Sequence, residues 1–129
     1  MSDACSFRLG DLQLRIMRVL WRCGPLGVGK VREQLEGDDL AYTTIATMLR
    51  KMEDRGLVGH ETADRRFIYH AAVDQQDVTR SMADDLVDRL FEGSLAQTVS
   101  HLLQTREIDE HELTQLEALI RKQRSAKKS

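Results

Sequence analysis

Leu40-Ala-Tyr-Thr-Thr-Ile-Ala-Thr-Met-Leu-Arg-Lys-Met-Glu-Asp-Arg-Gly-Leu-Val58 decides how this chain is read. Ile45, Met48, Leu49 and Met52 recur at helical spacing and define a face to be buried. The other face carries Thr43, Thr44, Thr47, Arg50 and Lys51, hydroxyls and cations without a carboxylate among them. A helix entering a DNA major groove needs such a surface: methyl and hydroxyl groups meet base edges, and positive charge meets phosphates. Gly56 then ends the helix and Leu57-Val58 opens a strand. The pattern is that of a helix-turn-helix followed by a wing.

Working outward, the spacing predicts a first helix from about Asp11 to Cys23, with Leu12, Ile16, Val19, Leu20 and Cys23 on one stripe. Asp11 suits the positive end of the helix dipole, and Gly24-Pro25 stops the helix. Cys23 reads as a buried thiol, and Trp21 as a residue at the core edge rather than a ligand contact. A short second helix covers about Val28 to Leu35, with Val28, Val31 and Leu35 facing inward, and Gly37-Asp38-Asp39 makes the turn into the third. Three helices on short turns bury a small common core. Leu57–Thr62 and Arg66–Ala71 then read as a hairpin around Ala63-Asp64-Arg65, with Phe67 and Tyr69 on one face. Arg65 and Arg66 are either phosphate or minor-groove contacts, or ordinary solvated arginines.

With 129 residues, 41% apolar and 31% charged, the chain holds one ordinary domain or a small domain with an oligomerisation segment. No apolar run approaches the roughly 20 residues needed to cross a bilayer, and no signal pattern opens the chain, so no membrane insertion and a cytoplasmic location are expected. Cys5 and Cys23 make neither a disulfide framework nor a metal pair, and His60, His70, His101 and His111 are scattered, so no metal and no cofactor follow. The net charge of −2 hides an asymmetry. Residues 1–73 hold 11 Lys+Arg against 10 Asp+Glu, and residues 74–129 hold 8 against 11. Any nucleic-acid footprint is therefore local, which favours a shaped contact over general polyanion binding.

After Val73 the strands stop. A helix from about Gln75 to Phe91 carries Val78, Met82, Leu86, Val87, Leu90 and Phe91. Gly93-Ser94 breaks it, and Ser94 caps a helix from Leu95 to about Gln104 with Val99, Leu102 and Leu103 inward. Asp109 caps the last helix, with Glu112 at the capping-box position and Ile108 and Leu113 as a hydrophobic staple. Leu113, Leu116 and Ile120 form its stripe, and Arg121 to Ser129 reads as a frayed basic tail. Three such helices, about 45 residues, bury little apolar surface alone. Leaving their stripes in water would forgo several kcal/mol at about 25 cal/mol per Å². An isologous homodimer through Val78, Met82, Leu86, Leu90, Val99, Leu102, Leu113, Leu116 and Ile120 is the expected solution; a monomer folded back on the first domain is the alternative. The expected architecture is mainly α with a small β-hairpin wing: a winged helix-turn-helix at 7–73, a three-helix dimerisation domain at 74–124, and a disordered basic tail at 125–129.

The DNA-contact candidates are Tyr42, Thr43, Thr44, Thr47, Arg50, Lys51, Arg65 and Arg66. The threonines lie toward the end of the third helix that enters deepest, Arg50 can reach a guanine or a phosphate, and Lys51 fits a phosphate contact. Lys30 and Arg32 are weaker phosphate candidates. A two-fold dimer of such helices predicts double-stranded operator DNA with inverted half-sites. No Gly-rich phosphate loop, nucleophile elbow or metal motif suggests an enzyme. A protein-interaction adaptor on the same fold is one rival function, and a regulator sensing a small molecule between its domains is another.

Leu9-Gly10-Asp11-Leu12, Ile16-Met17-Arg18-Val19-Leu20-Trp21, Val31-Arg32 and Leu40-Ala41-Tyr42-Thr43-Thr44-Ile45 together resemble the penicillinase-repressor family (BlaI/MecI, with CopY). Arg55-Gly56-Leu57-Val58, Phe91-Glu92-Gly93-Ser94, Glu112-Leu113 and Leu116-Glu117 match as well, so the resemblance runs from about Leu9 to Ile120. It implies a winged-helix domain joined to a helical dimerisation domain, and repression at a palindromic operator before resistance genes or the repressor's own operon. It also implies release when a membrane sensor-protease that detects a β-lactam causes, indirectly, a cut within the dimerisation domain. Here that region is Ser94 to Leu103, with the cut near His101-Leu102. The family's asparagine-aromatic pair is missing there. The cysteine cluster of the copper-responsive branch is missing too, since no cysteine follows Cys23.

Overall fold

The computed structural model describes residues 9–35 and 39–128. Its elements are α1 (Asp11–Cys23), β1 (Leu26–Gly27), α2 (Val28–Gln34), α3 (Tyr42–Asp54), β2 (Val58–Ala63), β3 (Arg66–Ala71), α4 (Gln75–Phe91), α5 (Leu95–Thr105) and α6 (Glu110–Lys128). The fold is mainly helical, with one antiparallel sheet in the order β1-β3-β2. Contacts divide the chain into two compact units, with the boundary between Asp84 and Asp85. The sequence places that boundary at 73/74, where strand patterning ends; the contact pattern places it inside α4.

In the first unit, α1 starts at Gly10, whose N–H donates to Gln13 Oε1 at 3.2 Å. That oxygen also accepts from Arg55 Nη1 at 2.8 Å, tying the start of α1 to the end of α3. Ile16, Met17 and Leu20 of α1 meet Val31 of α2, Ile45, Leu49 and Met52 of α3, and Leu57, Val58 and Tyr69 of the wing in one core. Each such apolar side chain, fully buried, contributes roughly 1.5–3 kcal/mol. Trp21 packs at the edge of this core and donates Nε1–H to the Val73 carbonyl at 3.0 Å, holding the exit of the wing against α1.

The end of α3 follows from one glycine. Gly56 has φ +80°, a left-handed value that glycine adopts without steric cost. Its N–H bonds to the Glu53 carbonyl and the Leu57 N–H bonds to the Met52 carbonyl, both at 2.9 Å. This pair of bonds is a Schellman closure, and it turns the chain directly into β2. Replacing Gly56 by alanine should therefore lower the melting temperature of the first unit by several degrees, equivalent to about 1 kcal/mol, as read by circular dichroism.

In the second unit, Ser94 Oγ accepts the Gln97 N–H at 3.1 Å, and Asp109 Oδ1 accepts the Glu112 N–H at 2.8 Å. Both caps sit where the sequence predicts them. Leu86, Leu90, Val99, Leu102, Leu113 and Ile120 are exposed, while Met82 and Leu116 are half-buried. Leu95, Leu103 and Leu119 are exposed as well.

Several expectations need correction. Val78 is 1% exposed within the single chain, so it is not available to a partner. Cys23 is exposed, because it is the last residue of α1 and lies beyond the packed turn. Met17, off the expected stripe, is fully buried, and Met48 is only half-buried. α6 continues to Lys128 rather than fraying after Ile120, so residues 125–128 are helical. Arg, Lys, Gln and Ala are strong helix formers, and terminal cations suit the negative end of the dipole. Strand β2 is shifted by one residue from the expected Leu57–Thr62. Residues 1–8, with Cys5, and most of the Gly37-Asp38-Asp39 turn lie outside the described residues.

Candidate nucleic-acid interface

The outer face of α3 is built by what its inner face buries. With Ile45, Leu49 and Met52 held at 0% exposure, helical geometry turns Thr43, Thr47, Arg50 and Lys51 outward. Tyr42, Thr43, Thr44, Thr47, Arg50 and Lys51 are all exposed, as are Arg65 and Arg66 on the wing. The helix start adds free backbone N–H groups, since Ala41 supplies no side-chain cap.

α3 forms a ridge between two concavities. One, of about 310 Å³, is lined by Thr43, Thr44, Thr47, Met48 and Lys51. The other, of about 700 Å³, lies among α2, α3 and the wing and brings Arg50 together with Arg65, Arg66 and Lys30. The eight sequence candidates are thus split between two grooves, with Tyr42 on the wing side beside Arg50. Arg50, Arg65 and Arg66 have no ion-pair or hydrogen-bond partner among the described residues. The α2 cations differ. Lys30 lies 3.9 Å from Glu33, and Arg32 Nε donates to the Leu40 carbonyl at 2.7 Å, which fixes the approach to α3. Arg32 is therefore a positioning residue before it is a phosphate contact.

The wing is braced by a cluster that the sequence reading passed over as a scattered histidine. His60 Nδ1 lies 2.8 Å from both carboxylate oxygens of Glu53, and its ring stacks on Phe67 at 4.0 Å and 20°. Strand register puts His60 opposite Tyr69, so the three rings share one face of the hairpin. The hairpin register was the available signal. Tyr69 is 3% exposed, and burial first, then the Glu53 charge and Tyr42, push its phenol above the ordinary value against the opposing pull of Arg50. Among the described residues no three His, Cys, Asp or Glu side chains are grouped to hold a metal.

The wing tip is a two-residue turn rather than the expected three. Ala63 pairs with Arg66, and Asp64 and Arg65 adopt φ of 51° and 66°. Both central residues left-handed is the type I′ geometry, whose second position favours glycine. An arginine there is strained, by about 1 kcal/mol. Arg65→Gly should consequently raise the thermal stability of the protein and lower its DNA affinity, two opposite shifts measured by a melt and a gel-shift titration. A drop in stability would show that the Arg65 side chain supports the fold instead.

Comparison with known proteins identifies the family. The family model described as penicillinase repressor matches residues 9–122. The transcriptional regulator BlaI of Mycobacterium tuberculosis is 36% identical over 107 residues, covering 80% of this chain and 77% of that protein. The penicillinase repressor of Bacillus licheniformis is 23% identical over 122 residues, covering 94% and 95%. The solved DNA-binding domain of the repressor BlaI aligns with 54% of this chain and 87% of that chain, at 27% identity and a TM-score of 0.49. On the family match and the 36% relative, this winged-helix chain belongs to the penicillinase repressor family, whose members are transcriptional repressors and not enzymes.

Proposed function

We propose that this protein acts in the cytoplasm as a homodimeric repressor of a palindromic operator, controlling a resistance or stress operon. The observation that carries the DNA contact is the α3–wing surface, where eight exposed candidates flank one ridge and three guanidinium groups make no ion pair among the described residues. Unpaired cations on a shaped surface are what phosphates stabilise. The threonine hydroxyls and methyls on the outer face supply base-edge contacts.

Dimerisation rests on the second unit. Leu86, Leu90, Val99, Leu102, Leu113 and Ile120 remain exposed on a single chain, together with Leu95, Leu103 and Leu119. Exposed apolar side chains in this density mark an interaction surface. Footprinting of the DNA upstream of its own gene tests the whole reading. Two protected half-sites of inverted sequence are expected, a helical turn or a multiple apart. A single protected half-site at saturation would reject the dimeric operator complex.

Release through a membrane sensor-protease and a cut at His101-Leu102 remains part of the proposal. Both residues are exposed, but they lie inside α5, and the His101 ring rests against Phe91 at 5.5 Å. A protease needs extended backbone, so α5 must open locally before cleavage. Limited proteolysis should cut there only under conditions that also raise amide exchange across α5.

A further inference from the structure

The groove beside Arg50 has a composition that phosphate contact alone does not use. Its cationic rim is Arg50, Arg65 and Arg66, none of them partnered among the described residues. Tyr42 and Phe67, 52% and 48% exposed, and Tyr69, 3% exposed, give the groove an aromatic stretch of wall, and the α2 pair Lys30 and Glu33 lines it as well. The Tyr69 hydroxyl makes no hydrogen bond to any described residue. No fully buried side-chain polar atom among the described residues lacks a partner, so this hydroxyl is open to solvent and available to a ligand. At about 700 Å³ the space falls in the range of small-molecule sites.

We propose that this groove binds small planar aromatic carboxylates, which compete with DNA for Arg50, Arg65 and Arg66. The competition rests on the DNA-contact reading of those arginines; the ligand site does not. Guanidinium groups bind carboxylates through paired N–H donors and also stack on flat π-systems. The Tyr69 phenol is neutral at physiological pH, and burial raises its pKa further, so its O–H is a donor for the same carboxylate. An inorganic anion satisfies the arginines but leaves the aromatic wall in water. A neutral aromatic does the reverse. A ligand with both a ring and a carboxylate meets the arginines and the aromatic stretch together, while Lys30, 3.9 Å from Glu33, offsets that carboxylate on the α2 side.

Benzoate tests this, with inorganic phosphate and benzyl alcohol as controls at matched ionic strength. Calorimetry on the full chain reads binding, and fluorescence polarisation of a labelled duplex from the upstream region of its own gene reads displacement. Benzoate should bind at least about 10-fold more tightly than either control and should raise the apparent Kd for DNA as it saturates. Tyr69→Phe, which keeps the core ring, should weaken benzoate about 3- to 10-fold and leave DNA affinity within about twofold. Arg66→Ala, at an exposed strand end, should weaken benzoate by a similar factor without touching the core.

Phosphate binding as well as benzoate would overturn the proposal, and so would indifference of benzoate to both variants. A chain that binds duplex which saturating benzoate fails to displace ends the competition, with the DNA reading intact. A chain that binds benzoate but no duplex ends the DNA reading and leaves the ligand site standing.

Discussion

Leu86→Asp should convert the protein to a monomer and lower its affinity for the full operator by about 100- to 10,000-fold. Leu86 is 44% exposed in the single chain, so an aspartate there is solvated in the monomer and leaves the fold of the second unit intact. The cost falls on association, where the carboxylate is buried against apolar side chains without a partner. Tethering makes the second half-site contact effectively intramolecular, and its loss removes that advantage without altering any contact to DNA. The variant should therefore bind an isolated half-site as well as the native chain does. Sedimentation velocity and half-site titration together check this. A variant that remains dimeric places the interface elsewhere. Leu90→Asp, one turn on and 69% exposed, should behave alike. Val78→Asp should not, because Val78 is buried within the chain and its replacement would damage the fold.

Local signals in the sequence were strong where periodicity and punctuation agreed. α1 begins and ends as Asp11 and Gly24-Pro25 indicate, and α4 spans the predicted Gln75–Phe91. The Ser94 and Asp109 caps could be read because capping is a contact over three residues. Long-range pairings were not readable. β1 is two residues, Leu26–Gly27, and exists only because β3 offers Tyr69 and Ile68 as partners. Nothing local marks it. His60 gains its role in the same way, from Glu53 on α3 and Phe67 across the hairpin. The exposure of the α3 candidates was legible individually, since one helix sets their face. Their division into two grooves was not, because the wing that closes the second groove returns from later in the chain. Cys23 and Met17 show the limit of a stripe drawn at ideal spacing: a terminal residue escapes the core, and a neighbouring position can enter it.

Arg50→Ala and Lys51→Ala should both weaken DNA binding, yet by different physics. They are adjacent in sequence and open onto different grooves: Lys51 with the threonines, Arg50 with the wing. Lys51 is a compact charge on a flexible stem, suited to a phosphate. Its loss should weaken operator and random duplex alike and reduce the salt slope of log K by about one. Arg50 carries a planar donor fork of the kind that matches the paired acceptors of guanine, and Tyr42 and Tyr69 line the same groove. Its loss should cost about 1–3 kcal/mol on the operator, roughly 5- to 150-fold, and relax preference at particular base pairs. Random duplex should lose far less. The comparison needs a salt titration of each variant on both DNAs, because affinities at one ionic strength mix the two effects. Equal losses on operator and random duplex for Arg50→Ala would assign Arg50 to the backbone together with Arg65 and Arg66. Sequence reading would then rest on Thr43, Thr44 and Thr47, whose short side chains demand that α3 enter the groove deeply enough for direct contact.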